Sequence, residues 1–102
     1  LQRLRSHLEL VVAAQDAPPA DDLVRRLDRD AGDTEARFRL AAARLVADDP
    51  EAAIRHLLAI VRLDPGWRNG LARQALLAVF DTLGVGSDLV RRARAELAEA
   101  AS

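Results

Sequence analysis

Residues 34–65 contain two apolar segments with helical periodicity, joined by a compact stop–start signal and closed by a proline. The first segment carries Leu40 and Ala41 as a large–small pair. Between the segments, Asp49 can cap a new helix, and Pro50 is tolerated in the first turn of that helix. The second segment repeats apolar residues at Ala53, Leu57 and Ile60. This spacing predicts a helical hairpin, which buries its apolar faces only by stacking against neighbouring hairpins.

The rest of the chain shows the same helical periodicity. Further helices are predicted over about 1–15, 21–29, 67–83 and 88–100, and the central segments give helices over 34–47 and 50–63. Asp21 or Asp22 is expected to cap the second helix, and Gly32 is expected to end it. We therefore predict an all-α domain with three parts: a degenerate first hairpin (1–33), a clear repeat (34–65) and a capping hairpin (66–102).

Composition excludes several classes of function. The 102 residues allow one small domain. The 15 basic and 16 acidic residues leave a net charge of −1, which argues against nucleic acid and anionic membranes as partners. There is no Cys, no apolar run long enough to span a bilayer and no signal-peptide pattern, so a cytoplasmic protein is expected. The absence of Met predicts that the chain is part of something longer.

No arrangement of residues indicates catalysis. The two histidines, His7 and His56, lack metal-ligand spacing, and no Ser or Thr has a base in a triad arrangement. The Gly84-Val-Gly86 segment has neither a preceding strand nor a following Lys, so it is predicted to separate helices rather than to bind phosphate. We expect no enzyme, no cofactor and no metal.

The hairpin of residues 34–65 resembles a tetratricopeptide repeat, and Pro65 takes the position of its closing proline. That resemblance implies a right-handed stack of about three antiparallel helical hairpins whose inner groove binds proteins. The first helix of each pair lines such a groove, so the following residues are expected to face a partner: Phe38, Arg39, Ala42, Leu45 and Val46. The alternative is that Phe38 and Leu45 simply pack on the preceding helix.

A second resemblance covers about two thirds of the chain. The segments 30–45 and 53–97 are similar to the C-terminal helical domain of the bacterial thioredoxin-like chaperedoxins. The similarity includes the loop of residues 64–70 and the last pair of predicted helices. It rests on residues such as Asp64, Trp67, Arg73, Phe80, Leu83-Gly84, Arg94 and Leu97. It implies co-chaperone activity, with protein clients or a chaperone as partner. Asp64, Trp67, Arg73 and Phe80 are expected to be structural, with Arg73 pairing with Asp64 to fix the loop.

Two other functions remain open from the sequence. One is a dimerisation or regulatory helical-repeat module of a bacterial transcription regulator. The other is a nucleic-acid binder, which the near-zero net charge disfavours. The apolar stripe of the first helix runs through Leu1, Leu4, Leu8, Val11 and Val12. Its residues Leu4, Leu8 and Val11 predict that two copies of the chain can associate.

Overall fold

The computed structural model describes residues 2–16, 18–84 and 86–100, and within those ranges it is helical without a strand. The helices are α1 (Gln2–Asp16), α2 (Ala20–Arg29), α3 (Thr34–Val46), α4 (Pro50–Leu63), α5 (Leu71–Leu83) and α6 (Asp88–Ala100), with a 3-10 turn over Trp67–Asn69. This confirms the predicted all-α class. None of the described helices is both long and apolar enough to cross a membrane.

The boundary between α3 and α4 follows the predicted stop–start signal. The Asp49 carboxylate accepts the Ala52 N–H at 3.2 Å and so caps α4, with Pro50 as the first helical residue. At the end of α3, Asp48 takes a left-handed conformation (φ 61°), which lets the Asp49 N–H reach the Arg44 carbonyl at 2.8 Å. These bonds satisfy backbone groups that helix ends leave unpaired.

Helix α2 has different boundaries from those predicted. Neither aspartate of the pair 21–22 caps it, because the helix already begins at Ala20, directly behind Pro19. The two carboxylates lie in the first turn instead, where they complement the positive end of the helix dipole. Gly32 does not end α2 either: the last helical residue is Arg29, and Asp30 after it is extended (φ −148°). The Gly32 N–H donates to the Asp30 carboxylate at 2.9 Å.

Helix α5 begins later than predicted. The apolar pattern suggested a helix from Trp67, whereas the structure has a 3-10 turn there and α5 starts at Leu71. Arg68, Asn69 and Gly70 all have positive φ values, of 47°, 60° and 80°. A right-handed helix cannot pass through three consecutive left-handed residues, so the chain reverses before α5 begins.

The packing of α1 departs from the predicted hairpin of residues 1–33. Helices α3 and α5 pack on α4 on one side and on α1 on the other, whereas α6 packs chiefly on α4. Helix α2 packs on α3, and within the described residues α1 and α2 share no extended contact. Pro18 and Pro19 separate these two helices and favour an extended connection, which lets α1 lie against α3 and α5 instead.

Two apolar clusters result from this packing. The main core joins α1, α3, α4, α5 and α6, and its largest fully buried side chains include Phe38, Phe80, Leu57, Leu58, Ile60 and Leu76. A small second core lies between α2 and α3 and contains Leu23, Ala36 and Leu40. Many of the contacting residues in α3, α4 and α5 are alanines, which permits close approach of these helices.

Asp33 caps α3 and connects it to α2. Its carboxylate accepts the Ala36 N–H at 3.0 Å and the Arg26 Nη2 at 3.1 Å. The hydrogen bond from Ala36, together with the Arg26 guanidinium, lowers the pKa of Asp33 despite the opposing effect of burial. The folded state therefore favours the ionised carboxylate.

Asp33→Ala is expected to lower the free energy of unfolding by about 0.5–2 kcal/mol at neutral pH, because both bonds are lost. Asp33→Asn keeps a side-chain oxygen that can accept the Ala36 N–H, so the free energy of unfolding should fall by less. The pKa of Asp33 is lower in the folded chain than in the unfolded chain. The ionised carboxylate therefore stabilises the wild-type fold above about pH 4, and this stabilisation disappears as the pH falls through the folded pKa. Urea unfolding at several pH values checks this; an Asp33→Asn chain with the same acid sensitivity as wild type would contradict it.

Candidate protein-binding face

The groove residues predicted on α3 lie on the side that α1 covers, which we call the inner face: the surface of α3 and α5 against α1. Phe38 and Ala42 are each 1% exposed, so they belong to the core. Arg39 and Leu45 are half-buried, and Val46 is 75% exposed. Three of the five predicted residues are thus accessible, and their binding of a partner stays a prediction.

An apolar cleft of about 270 Å³ remains open beside α1 on this face. We call it the inner-face cleft. It is lined by His7, Leu10, Val11 and Ala14 of α1, Ala42, Leu45 and Val46 of α3, and Val79, Thr82 and Leu83 of α5. Among the described residues of this lining, only His7 and Thr82 have polar side chains, so the cleft is suited to apolar groups.

On the other side of α1, Arg68 is the centre of a small ion-pair network. Its Nη2 lies 3.2 Å from the Glu9 carboxylate on α1, and its Nη1 lies 3.9 Å from Glu35 on α3. Glu35 also accepts the Arg39 Nε–H at 3.3 Å. These groups are 33–44% exposed, so each pair stabilises the fold little by itself. Their geometry nevertheless connects α1 to α3 and to the turn before α5.

Aromatic contacts support this arginine. The rings of Phe38 and Trp67 have centroids 5.4 Å apart and are tilted by 52°, a favourable arrangement for an aromatic pair. The Arg68 guanidinium lies 5.5 Å from the centroid of the Trp67 ring. Arg68 was not among the residues predicted from the sequence. The signal that could have found it is the adjoining Asn69-Gly70 pair, which is typical of left-handed turns.

The other residues predicted to be structural have different surroundings. Phe80 is 1% exposed, with the Arg94 guanidinium 5.1 Å from its ring centroid. The Asp64 carbonyl accepts the Trp67 N–H at 3.1 Å, which shapes the loop through the backbone. The expected ion pair between Arg73 and Asp64 is absent from the described structure. Both residues are exposed, with Arg73 in the first turn of α5 and Asp64 at the end of α4.

The apolar stripe predicted on α1 faces outward. Leu4, Leu8, Val11 and Val12 are 60%, 53%, 39% and 51% exposed, whereas Leu10 on the opposite side of the helix is buried. Leu1, which begins the stripe in the sequence, lies outside the described residues. Single exposed apolar residues are common on protein surfaces, whereas a contiguous row on one helix is typical of an interaction surface.

His56 on α4 is half-buried rather than fully on the surface. Burial lowers its pKa, and the neighbouring guanidinium groups of Arg37, Arg44 and Arg55 lower it further. The imidazole is therefore neutral near pH 7. Among the residues that the structure describes, no group of three or more His, Cys, Asp or Glu side chains could hold a metal ion.

Helices that pack on their neighbours in the chain, as α3, α4 and α5 do, are typical of a class of protein, the helical-repeat scaffold. The chain matches the family model described as "Tetratricopeptide repeat" over residues 13–100. It therefore belongs to the tetratricopeptide repeat family, which confirms the predicted fold. Such repeats generally mediate protein–protein interactions and are typically non-catalytic. No curated protein and no solved structure matches the chain significantly.

Proposed function

We propose that this chain binds apolar segments of client proteins at the inner-face cleft, as the helical part of a thioredoxin-like co-chaperone in the bacterial cytoplasm. The observation that carries the proposal is the apolar cleft, whose lining includes the accessible residues Leu45 and Val46. The similarity of segments 30–45 and 53–97 to the chaperedoxin helical domain supports the co-chaperone role. Thiol chemistry has no place in this chain, since it contains no Cys.

The chemistry of the cleft favours clients that expose apolar side chains. A Leu, Ile or Phe side chain of an unfolded segment gains stability on leaving water for this lining, and the gain depends little on sequence. Arg39, Arg68 and Glu35 place both signs of charge on the inner face, so a single sign of client charge is not selected. Such a surface suits transient binding of many segments better than tight binding of one.

The test is suppression of aggregation of a chemically unfolded model client. Val46→Asp places a charge at the mouth of the cleft, and because Val46 is 75% exposed the fold should be retained. We expect Val46→Asp to weaken suppression severalfold. Leu63→Asp is the matched control, since Leu63 is 57% exposed on α4 and does not line the cleft. Equal suppression by both folded variants and wild type would place client binding elsewhere.

A second candidate function is a dimerisation module, as in helical-repeat parts of transcription regulators. The observation in its favour is the outward stripe of Leu4, Leu8 and Val11, whose spacings of four and three match the seam of a coiled coil. One helix face meeting the same face of a second copy gives a closed two-fold dimer.

Light scattering at high protein concentration checks this candidate. We expect a concentration-dependent dimer that Leu8→Asp disrupts and that Leu63→Asp leaves intact, because the two leucines are similarly exposed, at 53% and 57%, but lie on different helices. A chain that remains monomeric at the highest concentration would contradict it. A chain that dimerises but does not suppress aggregation of the client would favour the dimerisation module over the co-chaperone.

A further inference from the structure

Helix α1 is attached to the inner face separately from the rest of the stack. It packs on α3 and α5, and within the described residues it shares no extended contact with α2, its neighbour in sequence. Pro18 and Pro19 lie in the connection between the two helices. The match to the repeat family begins at residue 13, so residues 2–12 of α1 lie outside it. The helix thus lies on a surface formed by α3 and α5, and only its last residues, 13–16, fall within the match.

Two side chains of α1 are buried among those that the structure describes. Leu10, at 4% exposed, is the one large apolar residue buried among its described side chains, accompanied by Ser6 at 3%. Ala13 and Ala14 are half-buried and pack against the main core. By comparison, α4 buries seven residues, five of them Leu, Ile or Val. Within the described residues, α1 thus rests on fewer buried side chains than α4, which lies at the centre of the stack.

The charged contact of α1 is specific. Arg68 binds the Glu9 carboxylate at 3.2 Å from a left-handed backbone conformation (φ 47°, ψ 47°) that non-glycine residues seldom adopt. Such conformations persist where surrounding contacts impose them, and they are concentrated at functional sites. Here the conformation fixes a cation at the edge of the inner face, where it meets a carboxylate carried by a docked helix.

We propose that the surface of α3 and α5 beneath α1 is a binding site for an amphipathic helix of a partner protein, and that α1 occupies this site until the partner displaces it. The partner helix carries a carboxylate opposite Arg68, followed by a large apolar residue and then small residues, as in Glu9, Leu10 and Ala13. Charge complementarity at Arg68 distinguishes this helix from an arbitrary apolar segment. The proposal goes beyond the proposed function, because it concerns the surface that α1 covers and not the cleft beside α1, part of whose lining α1 supplies.

The test uses the full chain and a labelled peptide with the sequence of residues 2–16. Leu10→Asp in the chain should release α1, and the peptide should then bind in a 1:1 ratio. Wild-type chain should bind at least about tenfold more weakly, because its site is free for only a small fraction of the time. Val12→Asp is the matched control: Val12 is 51% exposed on the same helix, so α1 should stay docked and binding should remain weak.

A charge exchange tests the role of Arg68. A peptide with Glu9→Arg should bind the Leu10→Asp chain severalfold more weakly than the unaltered peptide. Adding Arg68→Glu to that chain should restore the binding of the Glu9→Arg peptide. Failure of the unaltered peptide to bind a folded Leu10→Asp chain would overturn the proposal, and so would loss of the whole fold on Leu10→Asp, since α1 would then be an obligatory part of the core.

Hydrogen exchange of the wild-type chain gives a measurement without any substitution. We expect the amides of α1 to exchange faster than those of α4, through opening of α1 alone. Amides of α1 that exchange as slowly as those of α4 would overturn the proposal. None of these measurements involves a client, so loss of aggregation suppression and failure of α1 release are separate results.

Discussion

Phe38→Ala is expected to lower the free energy of unfolding by about 3–5 kcal/mol, the usual cost of truncating a buried phenylalanine. Phe38 is 1% exposed within the main core, and its ring lies 5.4 Å from that of Trp67. The substitution leaves a cavity between α1, α3 and the turn before α5, and it removes the ring that packs against Trp67. Because small domains have roughly 5–15 kcal/mol of stability, the loss is a large fraction of the total.

Urea unfolding followed by circular dichroism measures this loss. Leu63→Ala is the control, since Leu63 is 57% exposed and its truncation should change stability by no more than about 0.5 kcal/mol. A Phe38→Ala chain as stable as the Leu63→Ala chain would show that Phe38 does not pack in the core. The expected loss also shows why a charged substitution at Phe38 is unsuited to a binding assay: it would test folding, whereas Val46 tests the surface.

The central hairpin could be predicted closely because its signals are local. Asp33 and Asp49 each accept a backbone N–H three residues later, and Pro50 fits the first turn of α4. These interactions depend on a few consecutive residues, so the sequence contains them in full. The boundaries of α3 and α4 accordingly match the prediction to within a residue.

The placement of α1 could not be predicted in the same way. Its strongest apolar stripe, through Leu4 and Leu8, faces solvent, while Ser6 and Leu10 face the core. Periodicity identifies which residues share a face, but the space between α3 and α5 decides which face is buried. That space is lined by small side chains such as Ala42, so a face carrying Ser6, Ala13 and Ala14 can approach closely.

The candidate site was predicted only in part, for a related reason. Leu45 and Val46 were predicted because groove positions recur at fixed places in the first helix of each repeat; both line the inner-face cleft, and their role in binding stays a prediction. Arg68 was missed because its role depends on an unusual backbone conformation and on Glu9, which is 59 residues away in the sequence. Neither feature follows from local propensity, since arginine seldom adopts a left-handed conformation.

Gly84→Ala is expected to lower the free energy of unfolding by about 1–3 kcal/mol. Gly84 follows α5 with φ 90° and ψ 156°, a backbone region that is essentially restricted to glycine. Nothing lies within 4 Å of the position that an added Cβ would occupy, so the penalty comes from the backbone and not from a clash. The Gly84 N–H donates to the Phe80 carbonyl at 2.9 Å, and relaxation of the backbone would therefore weaken the end of α5.

Gly66→Ala is the matched control, because the same methyl group is added where φ is −85° and ψ is −2° and space is likewise open. That conformation suits alanine, so the substitution should raise stability by about 0.4–1 kcal/mol through the lower entropy of the unfolded chain. The two variants should therefore move the urea midpoint in opposite directions with unchanged denaturant dependence. Equal shifts would mean that the chain leaves α5 by an ordinary turn, and the positive φ at Gly84 would not be a requirement of the fold.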